Sequence, residues 1–468
     1  VLTTNTASTD DESGYENADP DDVSVINEDD DTAGISLTAI SNNTAEDGTT
    51  ATFDVVLDTE PTDDVTVDFQ TDDATEGAVT NPASKSLTFT SANWDTPQTI
   101  TVTGEDDDID DGDVAYNINM SDASSTDIKY DGNFANSVAV TNDDDDTAGY
   151  TVSAISNNTD EDGTTATFTV RLNSEPATDA ENYVVYVDIA SDDTGEGAVS
   201  PNQISFDHTD WSTPQTITVT GINDDDVDGD IAYNIELTVN TVSTTDTQYD
   251  ALDPSDVAVT NDDNDAATIS VNDSVVTEGN SGTTTLTFTI TQSDIDVIDG
   301  YTVGYYTSNG IAKDPSDFTN VGGSITFNGN ANETQTIDVT VKGDERVEQN
   351  ETLTFTIASI NATLNKDVTA SDGTGTGTIT NDDSATFSIA DASTSEGDGS
   401  ETKELTFTVS LNKEVESANP ITVDYQTADN TATTGNSDYV SESGTIIFGV
   451  NANGVVEVQD QTFTITIN

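Results

Sequence analysis

The chain has no cysteine, a single histidine (His208) and only nine lysines and arginines among 468 residues. Without cysteine there is no disulfide framework, no thiol catalysis and no thiolate metal site. One histidine removes most general-base and zinc chemistry. Nucleic acid and anionic membrane surfaces demand Lys and Arg, so the shortage of both excludes them as natural partners. Leu and Met are scarce as well, and no apolar run approaches the ~18 residues of a membrane helix. The sequence opens Val1-Leu2-Thr3-Thr4, with neither Met nor a signal peptide, as expected of a mature form or a slice of something longer.

What is abundant is acid. Ninety-two Asp and Glu give a formal net charge of −83, which fits either a divalent-cation binder or a protein kept soluble in high salt. Thr, Asp, Ser, Asn, Gly and Val dominate the rest, a mixture that disfavours helix and suits solvated β structure.

The acids are not spread at random. One phrase closes four β-rich segments: Asn27-Glu28-Asp29-Asp30-Asp31, Asn142-Asp143-Asp144-Asp145-Asp146, Asn261-Asp262-Asp263-Asn264-Asp265 and Asn381-Asp382-Asp383. Aligned on it, the chain repeats with a period of about 115–118 residues. The starts of the repeats also match: Ala33-Gly34-Ile35-Ser36, Ala148-Gly149-Tyr150-Thr151, Ala267-Thr268-Ile269-Ser270 and Ala385-Thr386-Phe387-Ser388. A strand of strict period two follows each, as in Ala51/Phe53/Val55/Leu57 and Leu405/Phe407/Val409/Leu411, with one buried and one wet face. Seven short strands per full module, parted by Gly, Asn, Asp and Pro turns, predict tandem immunoglobulin-like Greek-key β-sandwiches in an elongated all-β array. The expected modules are 32–146, 147–265, 266–383 and an incomplete 384–468, preceded by a closing part at 1–31. The first two are near copies, Asn93-Trp94-Asp95-Thr96-Pro97-Gln98 answering Asp210-Trp211-Ser212-Thr213-Pro214-Gln215, and the tryptophans read as packing residues at a sandwich end.

The later modules carry more particular phrases: Val276-Thr277-Glu278-Gly279, Thr394-Ser395-Glu396-Gly397, Thr427-Ala428-Asp429-Asn430-Thr431-Ala432-Thr433 through Ser437-Asp438-Tyr439, and Gly375-Thr376-Gly377-Thr378-Ile379-Thr380-Asn381-Asp382-Asp383. With these the chain resembles Calx-β domains, closely in modules three and four and more loosely in the first two. The resemblance implies an immunoglobulin-like sandwich, used as a calcium sensor in sodium–calcium exchangers and as tandem repeats in adhesins and other cell-surface proteins.

Strands of such a sandwich run alternately up and down, so loops A–B, C–D and E–F and the residues after strand G share the downstream pole. Acid is concentrated there, where one module meets the next. Calcium takes six to eight hard oxygen ligands in flexible geometry, which convergent Asp-rich loops can supply. The resemblance places its sites at the same pole and supports as ligands Glu46, Asp72, Asp73, Asp106, Asp107, Asp108, Asp143, Asp144 and Asp145 in module one. Module two offers Glu161, Asp192, Asp193, Asp224, Asp225, Asp226, Asp228, Asp262 and Asp263. Module three offers Glu278, Asp344, Glu348, Asp382 and Asp383, and module four Glu396. Asp224-Asp225-Asp226-Val227-Asp228-Gly229 fits the start of an EF-hand loop, but position twelve is Ile235 and the setting is strand–loop–strand, so it reads as convergent Asp spacing. The sparser third loop predicts fewer or weaker sites after module three.

Module four stops at Asn468 after strand E, while residues 1–31 match the end of a module, Leu2-Thr3 aligning with Leu237-Thr238 and Val23-Ser24-Val25 with Val257-Ala258-Val259. Either the sequence is a window of a longer repeat protein, or neighbouring copies complete one another by strand addition. The function expected is a non-catalytic extracellular stalk or filament, stiffened by Ca2+, with an acidic surface-layer or matrix protein of a halophile as the alternative. An enzyme is disfavoured because the acids recur at every joint, whereas an active site is normally unique.

Overall fold

The structure, a computed structural model, describes residues 3, 20–177, 183–397 and 401–468. It is nearly all β and built as a tandem series of two-sheet sandwiches. In the first module the strands are β1 (Ile35–Leu37), β2 (Thr44–Ala45), β3 (Thr50–Leu57), β4 (Val65–Thr71), β5 (Gly77–Asn81), β6 (Ser86–Phe89), β7 (Gln98–Gly104), β8 (Val114–Met120) and β9 (Asn136–Asp143). One sheet has the order β1-β3-β7-β5 and the other β2-β9-β8-β4-β6. Module two repeats both orders strand for strand.

That is nine strands where seven were expected. The A strand breaks, so β1 pairs antiparallel with β3 while β2 crosses to the other sheet and runs parallel to β9. The D segment divides likewise, β5 joining β7 and β6 joining β4. Alternation alone does not reveal a change of sheet, because both sheets bury every second residue toward the same core. In module three the first strand, Ala266–Val271, is instead held between Gly282–Gln292 and a parallel partner, Asp367–Asp372.

The cores lie between the sheets. In β3 the alternate residues Ala51, Phe53, Val55 and Leu57 are at most 2% exposed, and each large apolar side chain so buried contributes about 1.5–3 kcal/mol. Polar ties recur within the second sheet at fixed places. The Thr44 hydroxyl lies 3.0 Å from that of Tyr116, and Thr159 repeats this with Tyr233 at 3.1 Å. Gly77 and Gly197 sit beside those tyrosine rings, where a Cβ would collide. At the upstream pole the Tyr130 hydroxyl donates to the Thr59 carbonyl and the Tyr249 hydroxyl to that of Ser174, locking loop B–C to loop F–G. Trp94 and Trp211 pack half-buried against the first and second cores.

Module four has one three-stranded sheet, Phe387–Ile389, Lys403–Leu411 and Asp460–Ile467, facing the two-stranded Ile421–Gln426 and Ser443–Phe448. Between them opens a groove of about 830 Å3 lined by Leu405, Phe407, Tyr425, Phe463 and Ile465 among others. Of the closing part expected at 1–31, the Leu2 alignment lies outside the described residues; Val23, Val25 and Ile26 are exposed, and residues 20–34 contribute no strand. Among the described residues no helix is long and apolar enough to cross a membrane.

Candidate metal centres at the joints

The parallel pairing of β2 with β9 builds the site. Thr44 lies opposite Asn142 and Ala45 opposite Asp143, so the next residues, Glu46 and Asp144, leave the sheet together at the downstream pole. The Asp145 amide donates to Glu46 Oε2 at 3.3 Å, and a carboxylate oxygen from each of Glu46, Asp145 and Asp146 lies within 4.8 Å of the others. Module two repeats the construction. Thr159 faces Asn261, the Asn264 amide donates to Glu161 Oε2 at 3.1 Å, and Glu161 meets Asp224 with Asp265, and Asp228 with Asp263. Glu196, from loop C–D, joins Asp224 and Asp228, so three loops and the closing run converge. In module three Ser274–Thr277 runs parallel to Gly377–Thr380 and brings Glu278 to Asp382 and Asp383.

Backbone donors shape these loops. Ile109 N donates to Asp107 Oδ1, Gly112 N to Asp144 Oδ2, Asp226 N to Asp224 Oδ1 and Gly229 N to Asp263 Oδ2. Gly229 has φ +82° and approaches the Leu364 carbonyl of the next module so closely that no Cβ fits.

Burial drives the electrostatics. It pushes Glu46 up to about 7, and the neighbouring Asp107, Asp144 and Asp146 add to the rise. Glu161 is pushed up to about 7 by burial and then by Asp263, Asp224 and Asp265, and Asp228 to about 6 by burial and then by Glu196 and Asp224. Glu278 and Glu348 reach about 7 for the same reasons, and Asp146 about 6. Burial and Asp317 also hold Glu351 well above the usual carboxylate range. Several buried oxygens here have no hydrogen-bond partner: Asp265 Oδ2, Glu278 Oε1, Glu351 Oε2 and Asp383 Oδ2. Buried acceptors normally find a donor. Hard carboxylate oxygens left unpartnered beside other acids are a donor set that a calcium-like cation takes, and such an ion would return these acids to their charged form.

The other sequence-predicted ligands fall in different settings. Both oxygens of Asp72 accept from Asn117 and both of Asp192 from Asn234, which occupies them in tying loop C–D to strand F. Asp73 and Asp193 cap their own turns through Thr75 and Gly195. Asp143 and Asp262 accept from Asn43 and Asn158. Asp106 and Asp225 are exposed, Asp108 gives its carbonyl to Glu175 N, and Asp344 Oδ1 accepts from Arg346 N. Glu348 lies 3.3 Å from Arg346, and Glu396 is exposed on the rim of the module-four groove. The structure adds Asp146, Glu196 and Asp265, which sequence reasoning did not select. A signal for Glu196 was present, since Glu76-Gly77-Ala78-Val79 recurs as Glu196-Gly197-Ala198-Val199.

The acidic loop also reaches the next module. Ile109 forms a parallel bridge with Glu175, Val227 with Val297 and Val347 with Val415, each time linking an E–F loop to the following B–C loop. Val227 is fully buried within the core of module three.

A family profile, the Calx-beta domain, matches residues 28–145, 262–392 and 380–467. Among solved structures, the apo-form Calx CBD1 domain aligns at 19% identity over 25% of this chain and 100% of its own, with a TM-score of 0.22. CBD12 from CALX1.2 aligns at 16% identity over 43% of this chain and 76% of its own, TM-score 0.21. The N-terminal eight Ig domains of Down Syndrome Cell Adhesion Molecule align at 11% identity over 93% of this chain and 48% of theirs, TM-score 0.16. No curated protein matches the chain.

Proposed function

The chain belongs to the Calx-beta domain family, and from that premise we propose that it is a non-catalytic extracellular stalk or filament whose tandem sandwiches are stiffened at their joints by calcium. Domains of this family bind calcium in relatives and are generally non-catalytic. The carrying observation is the recurrence, at the pole facing the next module, of one construction of buried, clustered carboxylates: Glu46 with Asp145 and Asp146 after module one, and Glu161 with Asp224 and Asp265, whose Oδ2 is buried without a partner, after module two. Glu46, Asp145 and Asp146 would hold the ion at the first joint, and Glu161, Glu196, Asp224, Asp228, Asp263 and Asp265 at the second. The ion would supply only charge and coordination, converting repelling loops into a clamp. Quasi-one-dimensional arrays suit spanning and presenting rather than turnover. The same reading sets the module boundaries at 146, 265 and 383, and gives the open sheets of module four, in an assembled filament, a complement resembling strands F and G from a flanking repeat or neighbouring copy.

The test is thermal unfolding of the full chain in millimolar calcium and in chelator at matched ionic strength. An ion that binds only the folded state adds RT ln(1 + [L]/Kd), so the midpoint should rise with calcium. An unchanged midpoint would remove the calcium clamp and leave an acidic surface protein screened by salt.

A further inference from the structure

The few ion pairs are not scattered. Every ion pair among the described residues lies at a joint: Lys129–Asp29, Arg346–Glu348, Arg346–Glu414 and Lys413–Asp383. They differ in kind. Lys129 and Asp29 are more than half exposed, where such a pair contributes little. At the third joint the Asp383 side chain is fully buried and that of Glu348 is 7% exposed, with Lys413 2.8 Å from Asp383 and Arg346 3.3–3.4 Å from Glu348 and Glu414. Glu414 and Lys413 belong to module four, whereas Asp383, Arg346 and Glu348 belong to module three. The Arg346–Glu414 and Lys413–Asp383 pairs therefore span the joint, while Arg346–Glu348 lies within module three.

Aligning the three joints on their parallel bridges shows how this arises. The residue before the bridging Ile109, Val227 or Val347 is Asp108 in the first loop, Asp226 in the second and Arg346 in the third. Two residues before the bridging Glu175, Val297 or Val415 stand Asn173, Ile295 and Lys413. The third joint has thus exchanged an acid for Arg346 and gained Lys413 opposite the closing run. The first two joints have acids at the first of these places and no cation at the second. Basic groups near them make no ion pair: His208 acts on Glu175 only through its field, Arg171 donates to the Leu172 carbonyl, and Lys366 donates to the Ile298 carbonyl.

We infer that protein cations do at the third joint what a divalent ion does at the first two, so that modules three and four stay docked when calcium is withdrawn while joints one and two loosen. This rests on the calcium reading for the first two joints only. The third joint is claimed to close without it. One filament would then hold a constitutively stiff segment beside a calcium-responsive one, and graded calcium would change its flexibility at chosen places.

Because the chain has no cysteine, label pairs can be introduced cleanly. Spin labels at T336C with S443C span the third joint, and at T238C with T336C the second. Distance distributions are measured on the full chain, with calcium and with chelator, at matched ionic strength. The third-joint distribution should keep its width and mean on chelation, and should broaden in chelator once R346Q and K413Q are introduced. The charge-preserving K413R should restore the narrow distribution in the R346 background. A wild-type third joint that broadens on chelation overturns the inference, and so does one that stays narrow in R346Q/K413Q. The second-joint pair reports separately on the calcium clamp: a second joint indifferent to calcium sinks the proposed function without touching the third-joint result.

Discussion

Glu161 shows at the scale of one residue why these joints call for a cation. It is 4% exposed, and burial together with Asp263, Asp224 and Asp265 pushes its carboxyl up to about 7 from an ordinary 4.5. A metal-free fold therefore holds a proton that the unfolded chain releases. Its contribution is whole below the unfolded value and is lost as pH climbs through the folded value. Glu46 at the first joint behaves likewise, reaching about 7. In chelator, then, the melting midpoint should fall between about pH 5 and about pH 8. Calcium should flatten or reverse that slope by taking the proton's place, and its addition near neutrality should release protons. Calorimetry in two buffers of different ionisation heat checks this. A midpoint in chelator that rises across the same interval would show these acids to be charged and separately compensated.

At the scale of the element, the acidic loop after Gln215–Gly221 has two sides. Asp224 and Asp228 turn to Glu161 and Glu196, while Val227 enters the core of module three and Asp230 accepts from Asn365 there at 2.8 Å. The loop turns at Gly229, whose φ is +82°, so the same short stretch serves the ion and the next module at once. Truncating a fully buried Val removes two methyl groups and leaves a cavity. V227A should therefore destabilise module three by about 2 kcal/mol although the residue lies outside it. V347A should cost less at the third joint, where Val347 is only half-buried. Denaturant unfolding followed within module three tests the pair. Equal losses, or a loss confined to module two, would contradict the placement of Val227.

Over the whole molecule, 92 acids against nine bases mean that the modules repel one another wherever charge is uncompensated. The linkers are nearly absent: β9 ends at Asp143 and the next strand begins at Tyr150. Solution scattering should show the maximum dimension shortening and the profile becoming more flexible on chelation, as joints one and two become hinges. A chain equally extended in both conditions would mean that packing and repulsion alone set its length.

Much of this was legible in the residues themselves. Strict alternation at Ala51, Phe53, Val55 and Leu57 and its repeats determined the strands, and the recurring Asn-Asp phrase determined the period, because both are local patterns. The sequence also placed Glu46, Glu161 and Glu278 at the acid-rich pole, since strand direction alternates whatever the packing. It did not reveal that the A strand changes sheets, nor that Asp72 and Asp192 are occupied by Asn117 and Asn234. Nor did it show that Val227 belongs to its neighbour's core. An exposed acid and a buried one read identically in a run of aspartates. Only the tertiary structure decides which carboxylates are desolvated, because desolvation depends on what other strands and modules bring against them.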